Sequence, residues 1–318
     1  MVDLPSRGTT NEIALTGRRK LPLPERTVVS VVPQPADTRM SSDRFLMAGV
    51  MGWPVMHSRS PKIHNYWFAK YGLAGTYVPL AIRPHGLGAA LRALAPLGFA
   101  GCNLTIPHKE TAVEIVDRID SPARRIGAIN CVVIAPDGTL DGSNNDGLGY
   151  IESILEYEPG WRADLGPIVV IGAGGAARAI LVALAERGAR DIRLVNRGAA
   201  RASALAREFG APIAALPWED RHTALDGAAM LINTTSQGMA GEAALDLVLD
   251  RLPTAALVSD IVYVPRDTPL LTAARRCGNR TAGGLGMLLH QARAAFHAWF
   301  GVKPEITAQL RAMIEATI

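Results

Sequence analysis

The sequence predicts an α/β fold made of two domains, each a β-sheet flanked by helices. From residue 45 onward, short apolar runs alternate with segments of helical periodicity, an order typical of helix-flanked sheets. A glycine-rich turn lies between an apolar run and a helical pattern at residues 167–180, near the middle of the chain. With 318 residues, the chain is long enough for two domains of ordinary size.

The first half of the chain predicts a mainly parallel sheet. Ser60-Pro61 supplies an N-cap and a proline at the first helical position, and Ser121-Pro122 opens a later helix. Asp137-Gly138 predicts a turn after the last strand of this half. We expect strands at 45–51, 76–80, 99–104 and 129–134, and helices at 60–71, at 84–95 and after residue 121.

The second half repeats the alternation after a helix that begins at Asp146 and runs to about residue 155. Glycines at 283, 284 and 286 then interrupt the pattern, so we expect the chain to cross back to the first domain near Gly284. The expected domains are 43–145 with 284–318, and 146–283. Strands are predicted at 167–171, 191–195, 230–233 and 257–260, and helices at 287–299 and from 304 to the C-terminus.

The first 40 residues carry five prolines and no aromatic residue, so we expect a disordered extension over residues 1–42. This segment has no apolar core suited to a secretory signal, and its four acidic residues argue against an organelle transit peptide. A cytoplasmic protein is therefore expected.

Composition excludes several classes of protein. The formal charge is +4, of which +2 lies in the first 40 residues, so the body lacks the basic face that nucleic-acid binding needs. No apolar run approaches the length of a membrane span. Cys102, Cys131 and Cys277 form neither a disulfide framework nor a metal-binding pair, and no cluster of His, Cys and Asp has metal-ligand spacing.

The glycine turn has the order of parts that a dinucleotide site needs. Gly172 allows a tight turn after the strand, and Gly174 lets the backbone approach a pyrophosphate. Ala177 is small enough for the helix to pack closely on the sheet, and the helix N-terminus offers free N–H groups to phosphates. The sequence therefore predicts nucleotide binding in the second domain.

The tip of the next strand favours NADP over NAD. An NAD site places an acidic residue there on the ribose 2′-hydroxyl, whereas this chain has Asn196 and Arg197, with Arg201 one helical turn further on. A guanidinium at this place can bind a 2′-phosphate through charge-assisted hydrogen bonds. A solvated basic loop remains the alternative.

Polar side chains gather at strand ends of the first domain, where sites form in α/β sheets. Each has a simple structural alternative: Ser60 and Asp146 as N-caps, Asn103 as a turn residue, Lys109 as a solvated charge. Together their hydroxyl, amide, amine and carboxylate groups suit a polyhydroxylated, anionic small molecule. The set is Ser58, Ser60, Asn103, Thr105, Lys109, Asn130 and Asp146.

Lys109 is the leading candidate for a proton donor. Hydride transfer to a ketone develops negative charge on the oxygen, and an ammonium group can stabilise that charge and protonate it. Asp146 could hold Lys109 in place or accept a proton from a neighbouring hydroxyl. His57 and His108 are alternative acids, although each could instead serve only to satisfy backbone groups.

Seven motifs, in order along the chain, resemble those of the shikimate dehydrogenase family, which includes shikimate/quinate dehydrogenases. The similarity runs from about residue 45 to the C-terminus. The motifs lie at 57–65, 101–110, 127–130, 144–147, 172–178, 233–239 and 284–292.

This resemblance implies an N-terminal α/β substrate domain and a Rossmann-type NADP-binding domain, separated by a cleft. It implies reversible NADPH-dependent reduction of 3-dehydroshikimate to shikimate in aromatic amino-acid biosynthesis, by a monomer or homodimer, with Lys109 and Asp146 as the catalytic acid/base pair. The implied substrate-binding residues are Ser58, Ser60, Asn103, Thr105, Lys109, Asn130, Asp146, Tyr263 and Gln291. The implied cofactor-binding residues are Gly172, Gly174, Gly175, Ala176, Asn196, Arg197, Thr234, Ser236, Ile261, Gly284 and Met287.

Two departures leave alternatives open. Asn145 and Gly198 stand where the family often has threonine, and Gly198 removes a hydroxyl that could bind a 2′-phosphate, which leaves strict NADP preference open. A quinate/shikimate dehydrogenase with looser cofactor choice is therefore the nearest alternative. A non-catalytic nucleotide-sensing module is another, against which the retained Lys109 and Asp146 argue.

Overall fold

Two six-stranded β-sheets organise residues 45–318, the part of the chain that the computed structural model describes. The extension predicted over residues 1–42 lies outside the described residues. The first sheet contains β1 (Leu46–Gly52), β2 (Gly75–Ala81), β3 (Gly101–Leu104), β4 (Arg118–Ile119), β5 (Cys131–Ile134) and β6 (Leu140–Ser143). The second contains β7 (Ile168–Ile171), β8 (Ile192–Val195), β9 (Ile213–Leu216), β10 (Met230–Asn233), β11 (Leu257–Asp260) and β12 (Arg280–Ala282).

Helices flank both sheets, so the predicted α/β fold is confirmed. Short 3₁₀ turns join some of the elements, as at Pro84–Gly86, where the sequence predicts the start of a longer helix. The α-helices are α1 (Ser60–Lys70), α2 (Leu87–Ala93), α3 (Ser121–Ile126), α4 (Asp146–Tyr157), α5 (Gly175–Glu186), α6 (Ala199–Phe209), α7 (Pro269–Arg276), α8 (Leu285–Phe300) and α9 (Ala308–Glu315).

The first sheet is mainly parallel, as predicted, except for one strand. Its order is β2-β1-β3-β5-β6-β4, and β5 runs antiparallel to both β3 and β6. The turn at Asp137-Gly138 joins β5 to β6 directly, and so short a connection can only reverse the chain. The segment after this turn, which the sequence predicts as loop from residue 141, therefore begins as a strand.

The second sheet is wholly parallel, in the order β12-β11-β10-β7-β8-β9. Successive strands extend from β7 first to one side and then to the other. In such doubly wound sheets, ligands bind beyond the carboxyl ends of the strands at the point of reversal. The glycine turn that follows β7 lies at this point.

The last two helices pack against the first sheet. Leu289, Phe296 and Leu310 share one buried core with Val50 and Trp67. The indole Nε1 of Trp67 also donates a hydrogen bond to the Glu305 carbonyl, at 3.0 Å. Burial of these large side chains, at roughly 25 cal/mol per Å² of apolar surface, stabilises this packing.

Helix α4 packs closely against helices from both halves of the molecule because it has glycine on two sides. A Cβ at Gly147 would lie 2.8 Å from the Ala179 carbonyl oxygen of α5. A Cβ at Gly149 would lie 2.8 Å from the Cβ of Gln291 on α8. The helix that begins with Asp146 is therefore held between the glycine-turn helix and the returning C-terminal helix.

His64 is a buried histidine in the core of the first sheet. Its ring stacks on Tyr77 with centroids 4.1 Å apart, and neither ring nitrogen has a hydrogen-bond partner. Burial lowers the pKa of His64 from 6.5 to about 3, so the ring is neutral in the folded protein. In acid, the unfolded chain therefore takes up a proton here that the folded chain does not.

We expect His64→Phe to reduce the loss of stability in acid. Between pH 6.5 and about 3, protonation favours the unfolded wild type, by about 1.4 kcal/mol per pH unit. The free energy of unfolding of the wild type, relative to that of the variant, should fall by that amount per unit below about pH 6. Urea unfolding at several pH values measures this difference, in which groups common to both proteins cancel. A difference that does not change with pH would contradict the prediction.

Candidate active site

Lys109 and Asp146 form an ion pair at the carboxyl edge of the first sheet. Lys109 lies in the irregular loop after β3, and its Nζ donates to Asp146 Oδ2 at 2.5 Å. Asp146 is 4% exposed, and its other carboxylate oxygen accepts a hydrogen bond of 2.7 Å from Asn130 Nδ2. Both oxygens are thus engaged, which fixes the carboxylate and, through it, the ammonium group.

Side-chain amides hold the loop that carries Asp146. The backbone N–H of Asp146 donates to Asn144 Oδ1 at 2.9 Å, and Asn144 Nδ2 donates to the Ala128 carbonyl. Asn130 Oδ1 accepts from the Asn145 N–H at 2.8 Å. The sequence predicts no role for Asn144, yet its side chain orients Asp146. An asparagine that accepts the backbone N–H two residues later forms an Asx turn, and this spacing is the signal that the sequence offers.

Asn103 connects Asn130, and through it the Lys109–Asp146 ion pair, to the Tyr77 hydroxyl. Its Nδ2 donates to the Asn130 carbonyl at 3.0 Å, and its Oδ1 accepts from the Tyr77 hydroxyl at 2.7 Å. Direct hydrogen bonds therefore connect Lys109, Asp146, Asn130, Asn103 and Tyr77.

Ser60 is not the N-cap that the sequence predicts. It is the first residue of α1, the N-cap position is Arg59, and no side chain caps this helix. Pro61 follows it within the first turn and, having no N–H, needs no hydrogen-bond acceptor there. Ser58, half-buried in the preceding loop, accepts the Ser60 N–H on its Oγ at 3.2 Å.

Tyr263 and Gln291 approach the site from the C-terminal half. Tyr263 packs against the apolar core that α8 shares with the first sheet, and burial raises its pKa. Gln291 is 8% exposed on α8, against α4, and its Nε2 donates to the Leu288 carbonyl at 3.1 Å. Thr105, half-buried, shares the loop of Lys109.

The two alternative acids play no part in this network. His108 is 1% exposed, its Nε2 pairs with the Ile82 carbonyl at 2.9 Å, and burial lowers its pKa. His108 therefore satisfies a backbone group, which is the structural role that the sequence left open for it. His57 is exposed in the loop before α1.

The glycine turn lies against the Lys109 loop. A Cβ at Gly175 would lie 3.6 Å from Lys109 Cδ, so the start of α5 contacts the lysine side chain. Gly172 has φ +110°, and a Cβ there would lie 2.5 Å from Thr234 Oγ1, so only glycine fits. A Cβ at Gly174 would meet nothing within 4 Å, which leaves the backbone open.

Two arginines at the tip of β8 differ in their partners. Arg201 Nε donates to the Ala173 carbonyl and its Nη2 to Glu110 Oε1, both at 2.7 Å. Arg197 is exposed and has no ion-pair or hydrogen-bond partner within residues 45–318. Asn196 Nδ2 donates to the Gly198 carbonyl at 3.0 Å. Arg197 is thus the guanidinium available to an anion, whereas Arg201 connects α6 to the residue after Lys109.

A buried carboxylate organises the ends of β10 and β11. Asp260 accepts hydrogen bonds from Asn233 Nδ2, Thr268 Oγ1 and the Val262 N–H at 2.8–3.0 Å. Burial raises the pKa of Asp260 to about 6. Asp260 has no role predicted from the sequence, although it lies at the carboxyl end of β11, the kind of position that predicts the other site residues.

The remaining predicted cofactor residues surround these strand ends. Thr234 Oγ1 donates to the Ile171 carbonyl at 2.7 Å, and Ser236 is exposed two residues later. Gly284 begins the crossing to α8, and a Cβ there would overlap the Ile261 carbonyl oxygen. Ile261 is half-buried, Met287 is buried, and Ala176 lies in the first turn of α5.

This arrangement fits a dinucleotide that carries a 2′-phosphate. The first turn of α5 has N–H groups without helical partners, Gly174 leaves space for a pyrophosphate, and Arg197 can pair with a further phosphate. Within residues 45–318, no group of three or more His, Cys, Asp or Glu side chains could hold a metal ion. No helix in that range is long and apolar enough to cross a membrane.

Three family models match successive parts of the chain. Residues 50–132 match the shikimate dehydrogenase substrate binding domain, residues 163–269 match shikimate/quinate 5-dehydrogenase, and residues 284–314 match the shikimate 5′-dehydrogenase C-terminal domain. These segments include the Lys109 loop, the glycine turn and the returning helices.

Curated relatives and solved structures agree with the models. The chain is 50% identical over 273 residues to the shikimate dehydrogenase (NADP(+)) of Paramagnetospirillum magneticum, covering 86% of this chain and 99% of the relative. It is 51% identical over 279 residues to that of Rhodospirillum rubrum, with the same coverage.

Quinate dehydrogenase from Corynebacterium glutamicum in complex with NAD has a TM-score of 0.80 and 28% identity, over 86% of this chain and 100% of that one. Shikimate 5-dehydrogenase from Thermus thermophilus in complex with NADP(H) and shikimate has a TM-score of 0.76 and 36% identity, over 85% and 99%. The chain belongs to the shikimate dehydrogenase family.

Proposed function

We propose that this protein catalyses the reversible NADPH-dependent reduction of 3-dehydroshikimate to shikimate, a step of aromatic amino-acid biosynthesis. The observation that carries the proposal is the ion pair of Lys109 and Asp146, set against Gly175 of the glycine turn. Family membership supplies the substrate, because relatives with about half of their residues identical are named for this reaction.

Lys109 and Asp146 are the catalytic acid/base pair. When bound, NADPH supplies the hydride that reduces the ring ketone. The Lys109 ammonium stabilises the oxygen as it gains negative charge and gives it a proton; in the reverse direction the lysine amine accepts the hydroxyl proton. Asp146 holds the ammonium in place, and Asn130 fixes the carboxylate.

The other polar residues bind and orient the ring. Their hydroxyl and amide groups can hydrogen-bond the substrate hydroxyls and carboxylate, which positions the ketone opposite the cofactor site. The substrate-binding residues are Ser58, Ser60, Asn103, Thr105, Lys109, Asn130, Asp146, Tyr263 and Gln291. The cofactor-binding residues are Gly172, Gly174, Gly175, Ala176, Asn196, Arg197, Thr234, Ser236, Ile261, Gly284 and Met287.

The domain division follows the position of α4. The substrate domain comprises residues 43–145 and 284–318, and the NADP-binding domain comprises residues 146–283, with a cleft between them. Contacts of Gly147 with α5 and of Gly149 with α8 support a boundary at the start of this helix. We also propose a cytoplasmic monomer or homodimer.

A direct assay tests the reaction. Purified protein should reduce NADP⁺ when shikimate is added, followed by the absorbance of NADPH, with a higher kcat/KM than for quinate with NAD⁺. The similarity to a quinate dehydrogenase makes this second combination the relevant comparison. Failure to oxidise shikimate with either cofactor would overturn the proposal, and faster oxidation of quinate would reassign the substrate.

Arg197→Ser should weaken the preference for NADP⁺. Charge-assisted hydrogen bonds to a phosphate contribute about 1.5–3 kcal/mol, so kcat/KM for NADP⁺ should fall about tenfold to a hundredfold. The value for NAD⁺, which lacks the phosphate, should change little. Steady-state kinetics with both cofactors measure the ratio, and Arg190→Ser, an exposed arginine before the other end of β8, is the matched control. Equal losses with both cofactors would contradict a role in phosphate recognition.

A further inference from the structure

Tyr77 has no role assigned by the motifs, yet its hydroxyl contacts one of the proposed substrate-binding residues. It lies in β2 and is 1% exposed. The hydroxyl donates to Asn103 Oδ1 at 2.7 Å. A phenol has a single hydrogen, so this bond uses the one donor of the Tyr77 side chain.

Hydrogen bonds to Tyr77 and to Asn130 fix which way the Asn103 amide faces. Its oxygen is taken by Tyr77, and one hydrogen of its Nδ2 is taken by the Asn130 carbonyl. A primary amide has two N–H donors, so one Nδ2 hydrogen remains for another acceptor. Asn103 is 5% exposed, so the orientation cannot be left to solvent.

The ring and backbone of Tyr77 are themselves fixed by neighbours in the 57–65 motif. His64 stacks on the phenol ring with an interplanar angle of 12°. Asn65 accepts the Tyr77 N–H at 2.9 Å and donates to the Tyr77 carbonyl at 3.0 Å. Two motif residues that have no predicted role at the site thus hold the hydroxyl in one place.

We propose that Tyr77 is a positioning residue that orients the Asn103 amide to receive the substrate. The free Nδ2 hydrogen of Asn103 donates to a substrate oxygen. This inference rests on the proposed function, in which Asn103 binds the substrate.

Tyr77→Phe tests the inference, since phenylalanine keeps the ring that His64 contacts and removes only the hydroxyl. The KM for shikimate should rise about tenfold, the scale of one lost hydrogen bond. The kcat should stay within about threefold and the KM for NADP⁺ should not change, because the Lys109–Asp146 pair is intact. Tyr66→Phe is the matched control, since its hydroxyl bonds Thr307 and Gln309 in the same core region.

Asn103→Ala separates this inference from the proposed function. If Asn103→Ala leaves the KM for shikimate unchanged, Asn103 does not bind the substrate and the proposed site is wrong. If Asn103→Ala raises the KM whereas Tyr77→Phe does not, Tyr77 does not position it. Asn103→Asp, which keeps the acceptor and removes the donors, should raise the KM as alanine does. A normal KM for that variant would also overturn the proposal, even if Tyr77→Phe failed to fold.

Discussion

Lys109→Met is expected to lower kcat for shikimate oxidation by about two to four orders of magnitude, with KM for shikimate within a few-fold of the wild type. Methionine keeps an unbranched chain of similar length but cannot donate or accept the proton, and positioned proton transfer contributes about 10²–10⁴-fold. A change confined to kcat marks a group that acts in the transition state. Steady-state kinetics in both directions make the measurement.

Lys62→Met is the control for the loss of a positive charge. Lys62 is exposed in the first turn of α1, within the 57–65 motif but outside the hydrogen-bond network of Lys109. Its substitution should leave kcat within about twofold, as expected for a surface residue. A wild-type kcat for Lys109→Met would remove the catalytic assignment, and an equal loss in both variants would point to a general effect of charge.

Gly284→Ala is expected to destabilise the protein by about 1–3 kcal/mol, the usual range for an overpacked position. A methyl group at this residue would overlap the carbonyl oxygen of Ile261, which is backbone and cannot rotate away. The start of α8 would have to move from the end of β11. The melting temperature should fall by about 2–4 °C per kcal/mol, and the KM for NADP⁺ should rise.

Gly283→Ala, one residue earlier, provides the comparison. A Cβ there would meet nothing closer than 3.7 Å, and neither glycine has a positive φ, so the two variants differ only in their neighbours. Thermal unfolding of both proteins, with and without NADP⁺, separates the steric effect from the loss of a glycine. Equal melting temperatures for the two variants would contradict the prediction.

The central site is predictable from the sequence because it lies at strand ends. Lys109 follows β3 of the first sheet and Gly172 follows β7 of the second, and sites in α/β sheets form beyond the carboxyl ends of strands. The glycine turn also has a steric requirement that a single chain displays, since only glycine fits at 172. Local rules of this kind can be applied without knowledge of the tertiary structure.

Contacts between segments distant in sequence could not be predicted in the same way. Arg201 is a candidate for phosphate binding in the sequence, but in the structure it pairs with Glu110, 91 residues away. Tyr77 stands in the sequence as an ordinary aromatic residue of a strand, and only the pairing of β1 with both β2 and β3 brings it to Asn103. The alternation of apolar residues predicts which side of a strand is buried, but it does not predict which polar atom of another segment contacts a given side chain.

The placement of α4 has a consequence for any relative motion of the two sheets. Asp146 is the first residue of this helix, which touches α5 at Gly147 and α8 at Gly149. If the two sheets swing relative to each other about this point, atoms near the axis are displaced least. The carboxylate would then stay with its lysine throughout the swing, and strand ends farther from α4 would separate more. Access to the ion pair would thus vary without its being broken.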